Sequence, residues 1–295
     1  MFKDRSQMQI PAKHRLDRQI RRVSAPTMFA IAFFISLYFG LSLGQSFAAA
    51  VQRPDPALAA IIDGPQRGDA NKARDRYRHP LEVLTFFGVK ADSNVIEIEP
   101  GKAGYWAEIL APYLNDRGHY TASGDPERDI APLKARIAAS PELYGKTTIT
   151  EFAGGDQEIA PQNSADFVLT FRNIHNWMRA GSADAAFHAF YNALKPGGIL
   201  GVEEHRGLPD QPQDPQARSG YVRQDYAIAL AEKAGFKLLG SSEVNANPKD
   251  TKDYPEGVWT LPPTYRLKDQ DREKYSAIGE SDRFVLKFAK PAEAK

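Results

Sequence analysis

The chain has 295 residues, 42% hydrophobic and 25% charged, which suits one large folded domain or two small ones and excludes a disordered or collagen-like chain. It has no cysteine, so disulfides, zinc–thiolate centres and thiol nucleophiles are excluded. The formal charge of +1 hides an asymmetry: residues 1–50 hold seven Lys/Arg and two acids, leaving 31 basic against 35 acidic residues in the remainder, a net of −4 that gives no electrostatic footprint for nucleic acid.

In chain order, a basic start (Lys3, Arg5, Arg21, Arg22) gives way to an apolar run over residues 27–44 and then to Ser46-Phe47-Ala48-Ala49-Ala50. Charged, then apolar, then small residues is the pattern of a secretory signal peptide, cut after Ala49 or Ala50. The apolar run also nears the roughly 18-residue minimum for a membrane span, so an uncleaved inner-membrane anchor is the alternative. Either reading predicts an exported, periplasmic protein that touches membrane only through its N-terminal segment.

Residues 51–74 mix Pro, Gly, Asp and Arg and read as a lead-in with one short helix near 57–62. Tyr77, Leu81, Val83, Leu84 and Phe87 recur at helical spacing and predict a helix over 75–87 that stops at Gly88. Beyond it, strand patterns at 94–99, 119–123, 147–152, 167–171 and 199–204 alternate with helical patterns at 105–114, 129–139 and 183–194. That alternation argues for a parallel, doubly wound α/β sheet. Lys195-Pro196-Gly197-Gly198 reads as a helix stop and turn. A helix over 222–234, a strand over 236–244, a polar loop over 245–263 and a strand over 283–289 predict an antiparallel hairpin at one sheet edge. The simplest parse is one domain over 75–290.

The stretch Val95-Ile96-Glu97-Ile98-Glu99-Pro100-Gly101-Lys102-Ala103-Gly104-Tyr105 is the most informative in the chain. It reads as a buried strand, an acid, a glycine-bearing turn and a helix N-terminus. Ligands bind outside such strand ends in open α/β folds. Glycine permits positive φ and close backbone approach, and a carboxylate there can accept from a ribose or an amino group. A nucleotide-like cofactor is the expectation.

Two further strand ends carry chemistry. Arg172-Asn173-Ile174-His175-Asn176-Trp177 follows the fourth strand: Asn173 can fix an acceptor group, His175 can act as general base and Trp177 can stack on a substrate. Glu203-Glu204-His205-Arg206 ends the fifth, and strand alternation puts Glu203 and His205 on one side and Glu204 on the other. His175, Asn173 and His205 are therefore the catalytic candidates. No i,i+4 histidine pair accompanies them, so no metal is expected; a salt-bridged strand end is the plain alternative. The 245–259 loop, with Trp259 as its apolar contact, is a candidate cover for the acceptor site.

The order of these elements, with Val95–Gly101, Ala165-Asp166-Phe167-Val168-Leu169-Thr170 and Leu194-Lys195-Pro196-Gly197-Gly198-Ile199-Leu200, resembles the class I S-adenosylmethionine-dependent methyltransferases. Glu108–Leu114, Arg172–Trp177, Gly220-Tyr221-Val222-Arg223 and Asn245-Ala246-Asn247-Pro248-Lys249-Asp250 resemble more closely a bacterial group of exported methyltransferases. The resemblance implies a seven-stranded, mostly parallel sheet with a C-terminal antiparallel hairpin. It implies S-adenosylmethionine as cofactor but names no substrate; with the export pattern, a small or envelope-associated acceptor is the expectation. It implies cofactor contacts from Glu97, Glu99, Gly101, Gly104, Tyr105, Asp125, Asp156 and Arg172, with Asp125 nearest the family's ribose acid and Asp156 its adenine-side acid. The family's acid-x-Gly-x-Gly-x-Gly loop would have glycine where this chain has Glu99 and Ala103. Glu99 is thus expected to limit cofactor affinity. The same departure leaves open a catalytically degenerate member that binds a nucleotide-like or other small ligand.

Overall fold

The computed structural model describes residues 53–155 and 157–292, which belong to one compact unit. Residues 1–50, where the sequence predicts a signal peptide, and Asp156 lie outside the described residues. No helix among the described residues is long and apolar enough to cross a membrane.

Helices α1 (Pro56–Asp63), α2 (Asp69–Lys72), α3 (Asp75–Arg78) and α4 (Pro80–Phe87) lead in. The alternating body is β1 (Asn94–Ile98), α5 (Ala107–Leu114), β2 (His119–Gly124), α6 (Ala131–Ala139), α7 (Pro141–Tyr144), β3 (Thr148–Glu151), β4 (Ala165–Phe171), α8 (Ile174–Ala180), α9 (Ala183–Ala193) and β5 (Leu194–His205). Then follow α10 (Gln224–Lys233), β6 (Lys237–Ser242), α11 (Arg272–Ile278) and β7 (Arg283–Ala289). The seven strands form one sheet in the order β3-β2-β1-β4-β5-β7-β6. The first five are mutually parallel, and β7 runs antiparallel to both β5 and β6. This is the class I methyltransferase fold.

Both faces of the sheet are covered. Within β1, Ile96 and Ile98 join the core formed with Phe187, Phe190 and Phe284, while Val95 joins the opposite core with Leu84, Phe87, Ile109 and Leu110. Strands buried on both faces read as near-continuous apolar runs, as β1 and β4 do. The strand order reverses between β1 and β4, and that switch point positions the site.

The short helices α2, α7 and α11 have no counterpart in the sequence expectation, and three further elements differ from it. The helix expected over 75–87 is broken at His79, whose φ is +41°. Pro80 disfavours a right-handed helical conformation in the residue before it, and His79 Nδ1 is held 2.9 Å from Asn245 Oδ1. Residues 195–198 are the irregular start of β5 rather than a free turn: Gly197 N donates to Lys290 O and Lys290 N to Gly198 O, at 2.8 and 2.9 Å. Residues 174–180, for which the sequence predicts no element, form α8, which ends at Gly181 with φ +70°.

Candidate functional site

A cavity of about 290 Å³ opens at the carboxyl ends of β1, β4 and β5. Glu97 and Glu99 enter it from β1, Arg172, Asn173 and His175 from the β4 end, and His205 from β5. The 257–264 segment closes the far side with Trp259, so the expected loop does reach the site. Gly101 has φ +72°, and a Cβ built there would meet nothing within 4 Å, which leaves an open cradle above the turn.

Glu97 is 1% exposed and accepts a 2.5 Å hydrogen bond from Tyr120 Oη. Burial, above all, pushes its carboxyl up to about 8, against the Tyr120 hydrogen bond. Glu99 stands at φ +49°, where a glycine would cost nothing. Its carboxylate accepts from Trp177 Nε1 at 3.2 Å and pairs with Arg128 Nη2 at 3.2 Å. Burial raises its pKa, partly offset by Arg128.

His175 and Glu204 form an oriented pair. The imidazole Nδ1 donates to Glu204 Oε1 at 3.1 Å, and the His175 backbone N–H reaches Glu204 Oε2 at 3.3 Å. A carboxylate on Nδ1 fixes the tautomer and leaves Nε2 as the basic nitrogen. His205 Nδ1 lies 2.5 Å from Ser281 Oγ, with its ring 5.5 Å from that of His175. Burial, then His175 and nearby arginines, drives the His205 pKa well down, which keeps it neutral. Ligating atoms of His175, Glu204 and His205 lie within 4.8 Å of one another. Glu204 Oε1 also accepts from His205 N at 2.8 Å, so these groups are already hydrogen-bonded within the protein. Asn173 Nδ2 bridges Ile98 O and Thr170 Oγ1 at 3.0 and 3.2 Å, tying the ends of β1 and β4 together.

The remaining sequence candidates divide. Tyr105 lines the cavity, with its hydroxyl donating to Asp75 Oδ1 at 2.6 Å. Gly104 and Asp125 lie outside the lining. Gly104, at φ +57°, sits against Arg136. Asp125 caps the turn at Pro126–Ile130, accepting from Glu127 N and Arg128 N at 3.0 and 2.8 Å. Sequence reading missed Arg74, Arg78, Trp106, Phe171 and Glu280, all in the lining. The run Arg74-Asp75-Arg76-Tyr77-Arg78 is the one visible signal, and it reads as a solvated helix face.

The cavity's residues fit the amino-acid end of S-adenosylmethionine: an open glycine cradle at Gly101 and a carboxyl group at Glu97 that can accept from an ammonium group. Towards the end of β2, the Glu99–Arg128 pair bridges the space beside Trp177.

No protein-family model matches the chain. Among solved structures it is similar to an S-adenosylmethionine-dependent methyltransferase from Aquifex aeolicus, at 15% identity over 81% of this chain and 100% of that one, with a TM-score of 0.51. It is also similar to the [4+2]-cyclase SpnF, at 18% identity over 80% of this chain and 92% of that one, with a TM-score of 0.53. Likeness at this identity is a likeness of fold. A cyclase and a methyltransferase on one scaffold illustrate why the reaction must be argued from the site.

Proposed function

We propose that this protein is an S-adenosylmethionine-dependent methyltransferase that acts in the cell envelope on a small or envelope-associated acceptor. One observation carries the reading: the Glu97–Gly101 turn and the Glu204-oriented His175 converge on one cavity at the switch point of the sheet. Glu97 and Gly101 would hold the cofactor, which supplies an electrophilic methyl group. His175 Nε2 is the base that takes the proton from the acceptor's nucleophile. Asn173 keeps the β1 and β4 ends at fixed separation, and Trp106 and Trp259 wall the cavity, so that alignment of the reactants does most of the work. The envelope location rests on the basic, apolar and small-residue order of residues 1–50 and requires the cofactor to be supplied or retained outside the cytoplasm.

Calorimetric titration of the full chain with S-adenosylmethionine and S-adenosylhomocysteine tests the reading. Saturable one-to-one binding of both is expected; no heat from either sinks it. The Glu99–Arg128–Trp177 contact favours one rival, a methyltransferase-fold protein that binds another small ligand without catalysis. That rival predicts that neither compound binds.

A further inference from the structure

Four arginines share two carboxylates at one side of the cavity. Arg74 Nε lies 2.6 Å from Glu280 Oε1, and Arg283 Nη1 lies 3.2 Å from both Glu203 Oε1 and Glu280 Oε2. Arg78 Nε and Arg172 Nε come no nearer than 3.7 Å to Glu280 and 3.8 Å to Glu203, beyond hydrogen-bonding distance. Four guanidinium groups against two carboxylates leave two positive charges without a counter-charge. Glu97, the next carboxyl group, is mostly protonated at neutral pH and does not supply one.

The donors show the same shortfall. Arg78 is 1% exposed, yet its Nε and Nη2 have no hydrogen-bond partner among the described residues, and neither do Arg172 Nε and Arg74 Nη2. A buried donor left unmade costs about 1–3 kcal/mol, more when charged. Burial, followed by repulsion from Arg172 and Arg74, drives the Arg78 pKa well down, and burial and Arg74 lower that of Arg172. Arg74, Arg78 and Arg172 all line the cavity. So do Trp106, whose Nε1 is a further buried donor without a partner, Phe171, stacked on it at 4.1 Å, and Trp259.

We propose that this cavity binds a small organic anion, with its carboxylate or phosphate group on Arg78 and Arg172 and its apolar body against Trp106, Phe171 and Trp259. Oxyanions match the planar fork of a guanidinium and complete its donors. The role of that anion as the methyl acceptor rests on the function proposed above; the anion site itself does not.

The test is calorimetry on the full chain at low ionic strength, with benzoate, phenyl phosphate and the neutral benzamide as probes. Each is titrated alone and in the presence of saturating S-adenosylhomocysteine, whose own binding is measured first. The expected result is that benzoate or phenyl phosphate binds at least tenfold more tightly than benzamide, and that bound S-adenosylhomocysteine does not displace it. The tighter of the two probes identifies the headgroup. Arg172→Gln, at a quarter-exposed side chain, and Arg74→Gln should each weaken the anion tenfold or more while circular dichroism stays unchanged. Equal binding of benzoate, phenyl phosphate and benzamide overturns the proposal, as does unchanged anion affinity in Arg172→Gln. Competition between the anion and S-adenosylhomocysteine also overturns it, because the arginines then hold the cofactor's own carboxylate. Anion binding without any S-adenosylhomocysteine binding upholds the site and removes the methyltransferase reading.

Discussion

Replacing Glu97 by glutamine should change how the stability of this protein depends on pH. Glu97 is buried against Tyr120, and its carboxyl titrates near 8 in the native state instead of at its ordinary 4.5. Below 4.5 the group is neutral whether the chain is folded or not. Between 4.5 and about 8 the unfolded chain releases the proton and the native protein keeps it, so stability falls as pH rises through that window and levels off above it. At about 1.36 kcal/mol per pH unit the full window is worth at most about 5 kcal/mol, of which about 4 falls between pH 5 and pH 9. The amide introduced by Glu97→Gln can still accept the Tyr120 hydrogen bond but has no proton to lose. Urea unfolding followed by tryptophan fluorescence should therefore show the variant gaining on wild type by up to about 4 kcal/mol between pH 5 and pH 9, or roughly 10 °C in Tm. Stability profiles that run parallel across that range would refute the reasoning and mean that Glu97 is solvated or paired.

Glu99→Gly relieves the left-handed strain and frees Arg128 and Trp177; it should tighten S-adenosylhomocysteine binding about tenfold, or about 1.4 kcal/mol, by calorimetry, and weaker binding would mean that the carboxylate contacts the ligand. Gly101→Val has room for its Cβ but not the backbone freedom, so it should lose about 1–2 kcal/mol of stability, remain folded by circular dichroism and no longer bind S-adenosylhomocysteine; wild-type affinity would place the ligand elsewhere. Trp177→Phe keeps an aromatic ring against Phe152 and Phe190 but loses the bond to Glu99 and part of the buried ring volume, so it should cost about 1–3 kcal/mol in urea unfolding, against about 3–5 for Trp177→Ala; equal losses would show that the indole N–H matters more than the ring. Mass spectrometry of the envelope fraction should find a chain that begins at Ala50 or Val51, and recovery of full-length chain alone from membranes would favour the anchor.

The fold was legible because it is encoded locally. The apolar runs of β1 and β4, the helical spacing of 183–193 and the glycine stop after α4 each follow from side-chain periodicity or backbone freedom within a few residues. The strand ends bearing Glu97, Gly101, His175 and His205 could be singled out for the same reason, since a parallel sheet brings its carboxyl ends to one side. Tertiary structure alone decided how those ends are completed. Glu204 meets His175 because α8 folds over the end of β5. Asp125 was drawn into a helix cap beside the site, a use no spacing distinguishes from ligand binding. The arginine cluster was the least legible part. Arg78 and Glu280 are 202 positions apart, and a run of charged residues is ordinarily solvated. Only the packing of α3 against the β7 end buries those guanidinium groups together, and it is that burial, with too few carboxylates to match, that turns a charged helix into a binding surface.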